Sequence, residues 1–240
     1  MVETDAAKQS KADKKPKKEL GEHEPVLVIG LGRFGTAVAR SLLRLGHEVM
    51  AIDESGDLVQ KWANELTHVA QADSTDEEAL KQIGAEQFSR AVVGIGSDIE
   101  ASVLTVLSLV ELGVQEVWAK AISKKHGRIL ERVGATHVVY PESAMGERVA
   151  HMVTGTMIDF MEFDDGFAIA RTRAPVEATD QTLEKSALRS KFAITVVGVK
   201  RSGEDFTYAR PETHIRRGDE LIISGPTKKV EGFCAKTHQV

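Results

Sequence analysis

What this chain has little of narrows it first. It holds one cysteine, Cys234, in 240 residues, which excludes an intramolecular disulfide framework and a cysteine-based zinc site and suits a reducing cytosol. No apolar run approaches the roughly twenty residues needed to cross a bilayer, and the N-terminus lacks the apolar core of a signal peptide. A soluble, cytoplasmic protein is expected. An excess of positive charge is missing too, since 31 Lys and Arg stand against 36 Asp and Glu for a net charge of −5. Residues 1–24 balance six lysines against six acids, so the −5 belongs to the body from Pro25 onward. An acidic body argues against nucleic acid as a partner. Residues 1–24 also lack aromatics, which predicts a disordered tail. Its Lys8, Lys11, Lys14, Lys15, Lys17 and Lys18 read either as a solubilising feature or as a weak attraction to an anionic inner leaflet.

What is there centres on Val26 to Gly35. A β-branched apolar run, Val26-Leu27-Val28-Ile29, ends in Gly30-Leu31-Gly32-Arg33-Phe34-Gly35, and an amphipathic segment, Thr36 to Leu45, follows at once. That is strand, tight turn and helix in the Gly-x-Gly-x-x-Gly spacing. Gly30 permits the turn, Gly32 lets the backbone approach a phosphate group, and Gly35 lets the helix pack close to its strand. The first N–H groups of that helix then face the phosphates. A lone glycine fingerprint is unspecific. Here a second strand, Val49-Met50-Ala51-Ile52, ends at Asp53, about 20 residues on, where a ribose-binding carboxylate belongs.

From Pro25 apolar runs alternate with helical segments through six rounds, closing with His137-Val138-Val139-Tyr140. The pattern predicts an α/β fold with a doubly wound parallel Rossmann sheet. Strand ends meet at the carboxyl edge of such a sheet, so Gly30, Asp53, Ala72-Asp73, Gly94 to Ser97, Lys120 and Pro141-Glu142 are expected to converge there. Glu142 to Met161 reads as one long helix, apolar around much of its girth, and therefore as an element needing partners on more than one side. After the turn Asp164-Asp165-Gly166 a small mixed α/β module follows. The expected organisation is a tail (1–24), a nucleotide-binding lobe (25–141), a crossover and dimerisation helix (142–163) and a C-terminal lobe (164–240).

Bland readings stand beside these. Asp53 and the Asp73 loop could serve only as helix caps, and Lys120 and Glu142 could simply pair with each other. Arg33 at a helix start is disfavoured by the dipole unless an anion offsets it. A nicotinamide-dependent oxidoreductase would share the fingerprint but needs a proton donor or base near the nicotinamide. The short C-terminal lobe carries no Cys/His, Ser/Lys or Tyr/Lys pair at catalytic spacing, which favours regulation over enzymatic activity.

Several stretches together form a more specific pattern: Val28 to Gly35, Gly46-His47-Glu48-Val49, Ile95-Gly96 with Ala101-Ser102, Lys120-Ala121, Leu130 to Ala135, and Pro141-Glu142 with Met145-Gly146. Over roughly Pro25 to Phe233 the chain resembles the KTN/RCK family of cytosolic gating subunits, and within it the single-copy regulatory subunits of Ktr/Trk potassium uptake systems. The resemblance implies homodimers built into a ring, commonly an octamer, on the cytoplasmic face of a membrane-embedded potassium channel subunit. It implies ATP or ADP as ligand, with NAD(H) more usual in tandem-repeat members. Arg33, with Phe34 beside it, takes the position of a phosphate-reaching arginine. Asp53 becomes the ribose carboxylate, Asp73 with Ser74 the adenine-side loop, and Lys120 a basic residue near the phosphates beside Gly96. Glu142 matches an acid that helps hold Mg²⁺ or Ca²⁺ near them. Arg189 and Lys191 fall where some members bind cyclic di-AMP, although Ala193 and Thr207 to Ala209 match that pattern less closely.

Overall fold

Strand β1 (Val26–Ile29) is buried along its whole length and sits at the middle of a six-stranded sheet. The computed structural model describes residues 24–153, 157–163 and 165–236, which form two compact units meeting at Pro141 and Glu142. In the first unit β1 is joined by β2 (Val49–Asp53), β3 (His68–Gln71), β4 (Arg90–Val93), β5 (Glu116–Lys120) and β6 (His137–Val139). All neighbours are parallel, in the order β3-β2-β1-β4-β5-β6. Connections run one way from β1 to β3 and the other way from β4 to β6. The direction switches between β1 and β4, opening the crevice at their carboxyl ends.

Helices α1 (Arg33–Arg44), α2 (Gly56–Trp62), α3 (Glu77–Gln82), α4 (Ile99–Glu111) and α5 (Lys124–Arg132) fill the crossovers. Their starts are written locally. Side-chain oxygens of Ser55, Asp76, Asp98 and Ser123 accept hydrogen bonds from the first-turn N–H groups of α2, α3, α4 and α5, satisfying donors that a helix cannot. Because successive strand residues face opposite sides, Val26 and Val28 pack with Ala39 of α1 and Trp62 of α2, while Leu27 and Ile29 pack with Leu80, Val106, Leu109 and Leu130. Two-sided burial explains the unbroken apolar run in β1. On the Val26 side, the β4–β6 half of the sheet instead carries an Arg90–Glu116 ion pair of 3.1 Å and a Trp118 ring stacked on His137, their centroids 3.9 Å apart. Trp118 remains 37% exposed.

The second unit begins with α6 (Pro141–Val153), none of whose residues is buried. Here the structure corrects the sequence reading. The helix ends at Val153 rather than near Met161, and the last part of the expected crossover helix (142–163) is strand β7 (Asp159–Phe163). Strand β7 pairs antiparallel with β8 (Phe167–Arg173), Phe163 opposite Phe167 across the Gly166 turn. The reason is periodic: Phe160 alone of Asp159 to Phe163 is buried, so the run has one inward residue, and backbone pairing to β8 outweighs a helix with no core to cover. The sheet is completed by β10 (Thr195–Lys200), β11 (Thr207–Tyr208) and β13 (Glu220–Pro226) in the order β11-β10-β13-β8-β7, with β9 (Gln181–Thr182) and β12 (His214–Ile215) as a separate pair. Two short helices, α7 (Leu183–Ser186) and α8 (Leu188–Phe192), follow β9 and are separated by Ala187 in the left-handed region. Helix α9 (Thr227–Lys236) covers one sheet face with Val230, Phe233 and Cys234. Burial pushes the Cys234 thiol up to about 11, so it is an inert core residue. Among the described residues no helix is long and apolar enough to cross a membrane.

Candidate functional site

The glycine loop is a three-way backbone contact. Gly30 has φ +91°, a conformation that L side chains rarely adopt. A Cβ on Gly35 would collide with the Gly30 carbonyl oxygen, and one on Gly94, at the end of β4, would lie 3.3 Å from the Gly30 oxygen and the Gly35 Cα. Gly32 differs. A Cβ there would meet nothing within 4 Å, so the fold itself does not demand glycine at the N-cap of α1, and the space beyond it opens outward. Gly32 offers α1 no side-chain cap, and the first turn holds no acid, leaving its leading N–H groups without intrahelical partners.

Asp53 binds the loop together. The Leu31 N–H donates to Asp53 Oδ2 at 2.6 Å and the Ser55 N–H to Oδ1 at 2.8 Å, so this carboxylate fixes both the glycine loop and the entry to α2. Thr36 Oγ1 donates to the Gly32 carbonyl at 2.7 Å. Arg33 is exposed at the start of α1, and its guanidinium makes no ion pair or hydrogen bond among the described residues. Lys120 reaches over from the end of β5. Its Nζ lies 5.9 Å from the centre of the Phe34 ring, and a Cβ on Gly96 would be 3.0 Å from that Nζ.

The loop after β3 divides its two residues. Exposed Asp73 accepts from the Thr75 hydroxyl at 2.7 Å and the Thr75 N–H at 2.9 Å, and these bonds, the hydroxyl first, hold its carboxyl below the usual range. Ser74 turns inward and shares a buried 2.8 Å hydrogen bond with Thr105 of α4, so its hydroxyl ties loop to helix. Gly30, Gly32, Arg33, Phe34, Gly35, Asp53, Gly96 and Lys120 thus gather around the carboxyl ends of β1, β2, β4 and β5. Glu142 belongs to the second unit, exposed in the first turn of α6. Among the described residues no three His, Cys, Asp or Glu side chains cluster as a metal site. A cation at Glu142 would need oxygens from a phosphate ligand, which suits Mg²⁺. In the second unit Arg189 and Lys191 are exposed on α8, and Lys191 Nζ donates to the Ser186 carbonyl at 3.0 Å. A groove of about 520 Å³ there lies between α6 and the open face of β7, β8 and β13, its rim crossed by Arg148 bound to Asp159.

Gly94 is one of the strand-end residues expected at this edge, where Gly94-Ile95-Gly96 closes an apolar strand beside the fingerprint. Thr105 was not singled out by the sequence, and nothing local announces it.

Two domain models match the chain, the TrkA-N domain over residues 26–141 and the TrkA-C domain over residues 175–238. The Ktr system potassium uptake protein C of Bacillus subtilis is 36% identical over 86% of this chain and 94% of its own length. The chain belongs to the Ktr family. Its fold agrees with more distant solved structures. The RCK domain of GsuK superposes with a TM-score of 0.63 at 16% identity, covering 95% of this chain and 51% of that one. A GsuK channel bound to NAD gives 0.58 at 18%, covering 91% and 40%. For this Ktr family member the fingerprint lies wholly in the TrkA-N part, and α8 with Arg189 and Lys191 in the TrkA-C part.

Proposed function

We propose that this Ktr family member is the nucleotide-sensing, non-enzymatic regulatory subunit of a potassium uptake system, acting in the cytoplasm against a membrane-embedded channel subunit. One observation carries the reading: Gly30, Gly35 and Gly94 close on one another while Gly32 faces open space beside an exposed Arg33 and the uncapped start of α1. A cationic, donor-rich concavity of this kind takes an anion. Adenine nucleotides are the class proposed. The α1 N–H groups and Arg33 hold phosphates, Lys120 adds a second cation, Asp53 accepts from ribose hydroxyls, and the Asp73 loop borders the base. A bulky cation between the glycines favours the terminal phosphate of ATP or ADP over the bridging pyrophosphate of NAD(H).

Glu142 would share Mg²⁺ or Ca²⁺ with the phosphates, since a bare carboxylate facing a polyphosphate is repelled. Self-association is supported by α6, where Met145, Val149 and Val153, spaced four apart on one stripe, are 51%, 41% and 78% exposed. Dimers of this kind, assembled to a ring such as an octamer, would transmit nucleotide exchange to the channel, provided the nucleotides bind its two states with different affinity. Cyclic di-AMP at Arg189 and Lys191 is a secondary proposal. Titration calorimetry with ATP, ADP, NAD⁺ and NADH tests the ligand class: adenine nucleotides should bind more tightly, and tight NADH binding with no ATP or ADP binding would overturn it. With Glu142→Gln, added Mg²⁺ should no longer raise ATP affinity; an equal metal effect in the variant would remove Glu142 from the site.

A further inference from the structure

We propose that Ser74 and Thr105 are positioning residues that set the choice of base: their buried hydrogen bond fixes the Asp73 loop across the switch point of the sheet and so gives the nucleotide site its preference for adenine. The inference rests on the nucleotide reading above and assigns what holds the base end of that site. The loop leaves β3, in the half of the sheet reached one way from β1, whereas α4 follows β4 in the other half. Two ties hold it. The Ala72 N–H donates to the Asp53 carbonyl at 3.1 Å, next to the carboxylate assigned to ribose, and Ser74 Oγ meets Thr105 Oγ1 at 2.8 Å. Ser74 is 8% and Thr105 0% exposed, so the second tie lies in the interior.

Between the two ties stands Asp73, exposed. Its Oδ1 is taken by Thr75, while among the described residues Oδ2 makes no hydrogen bond. An ionised carboxylate can only accept. The exocyclic amine of adenine donates to such an oxygen, and the carbonyl that guanine carries at the same place is repelled by it. Hydrogen bonds weaken steeply with misalignment, so this discrimination is only as sharp as the placement of Asp73. The fold itself does not need the hydroxyl pair. Apolar groups of similar shape in both places would leave no buried orphan and cost little stability, so what the bond adds is placement of the loop.

Affinities of the full chain for ATP, GTP and inorganic tripolyphosphate, together with thermal melts, test this. Ser74→Ala and Thr105→Val should each weaken ATP binding roughly three- to tenfold and lower the preference for ATP over GTP by the same factor, with tripolyphosphate changed less than about twofold. Thr105→Ser, which keeps the hydroxyl, should restore both. In the double variant no buried hydroxyl of the pair is left unpartnered, so its thermal midpoint should lie close to that of the unaltered chain, while its ATP binding stays as weak as in either single variant. A double variant that regained the ATP preference along with its stability would make the pair a packing contact, and ATP and tripolyphosphate weakened alike would show that the bond supports the whole lobe. Either result overturns the inference, as would ATP binding unchanged in all variants or an unaltered chain that binds ATP no better than GTP. An unaltered chain that binds no adenine nucleotide would overturn the nucleotide reading first.

Discussion

At the scale of single residues the glycines separate fold from binding. Gly35→Ala should lower the thermal midpoint clearly, because the added methyl meets backbone that cannot step aside. Gly32→Ala should shift stability by only about 1 kcal/mol or less, as expected for an N-cap change, yet weaken ATP binding in calorimetry. A Gly32→Ala protein that bound ATP normally would place the phosphates elsewhere. His126 carries a pH prediction. It is 1% exposed, its Nδ1 accepts from the Ile122 N–H at 3.4 Å, and among the described residues its Nε2 has no hydrogen-bond partner. Burial lowers its pKa from the ordinary 6.5, so below that value the unfolded chain takes up the proton first. Its contribution to stability is full above about 6.5 and falls away as the pH drops toward the lower folded-state value. Melting curves between about pH 7.5 and 5 should show this loss, reduced in His126→Leu relative to its own neutral-pH stability. The fingerprint and Asp53 were legible because sterics dictate them within a few residues. The inward turn of Ser74 was not legible, because whether a hydroxyl turns outward or toward Thr105 depends on a helix thirty-one positions on.

At the scale of elements, legibility followed the apolar pattern. All six parallel strands could be read from a continuous or alternating apolar run, even the edge strands β3 and β6, which hold no buried residue. The region after Val153 could not, because its apolar residues fit a helical count as well as a strand, and the choice was made by pairing with β8. Helix α6 itself, with no buried residue, predicts that Met145→Glu with Val149→Glu abolishes self-association in light scattering without unfolding the chain; an unchanged oligomer would assign assembly to another surface. Helix α8 stands between two left-handed alanines, Ala187 at φ +53° and Ala193 at φ +54°. Left-handed backbone costs an L residue about 1–2 kcal/mol, partly offset in glycine by its greater unfolded freedom. Ala187→Gly and Ala193→Gly should each raise stability by about 0.5–1 kcal/mol in denaturant titration.

At the scale of the molecule, the two units hold separate cores. The clusters around β1 draw only on the first, and the cluster around Phe160, Leu221 and Phe233 only on the second. Residues 24–141 expressed alone should therefore melt cooperatively; a non-cooperative melt would show that the second unit completes the first. The strand order has a further consequence, for synthesis rather than for binding. The first strand made is the central one, and Val26 to Ile29 pair on one side with Val49 to Ile52 but on the other with Arg90 to Val93. While the chain is being translated, the most apolar strand of the molecule thus stands with an open edge until β4 has left the ribosome. During that interval the glycine loop has no Gly94 to close against, so the nascent domain is at once at its most prone to aggregation and without the backbone contact that shapes the proposed ligand site.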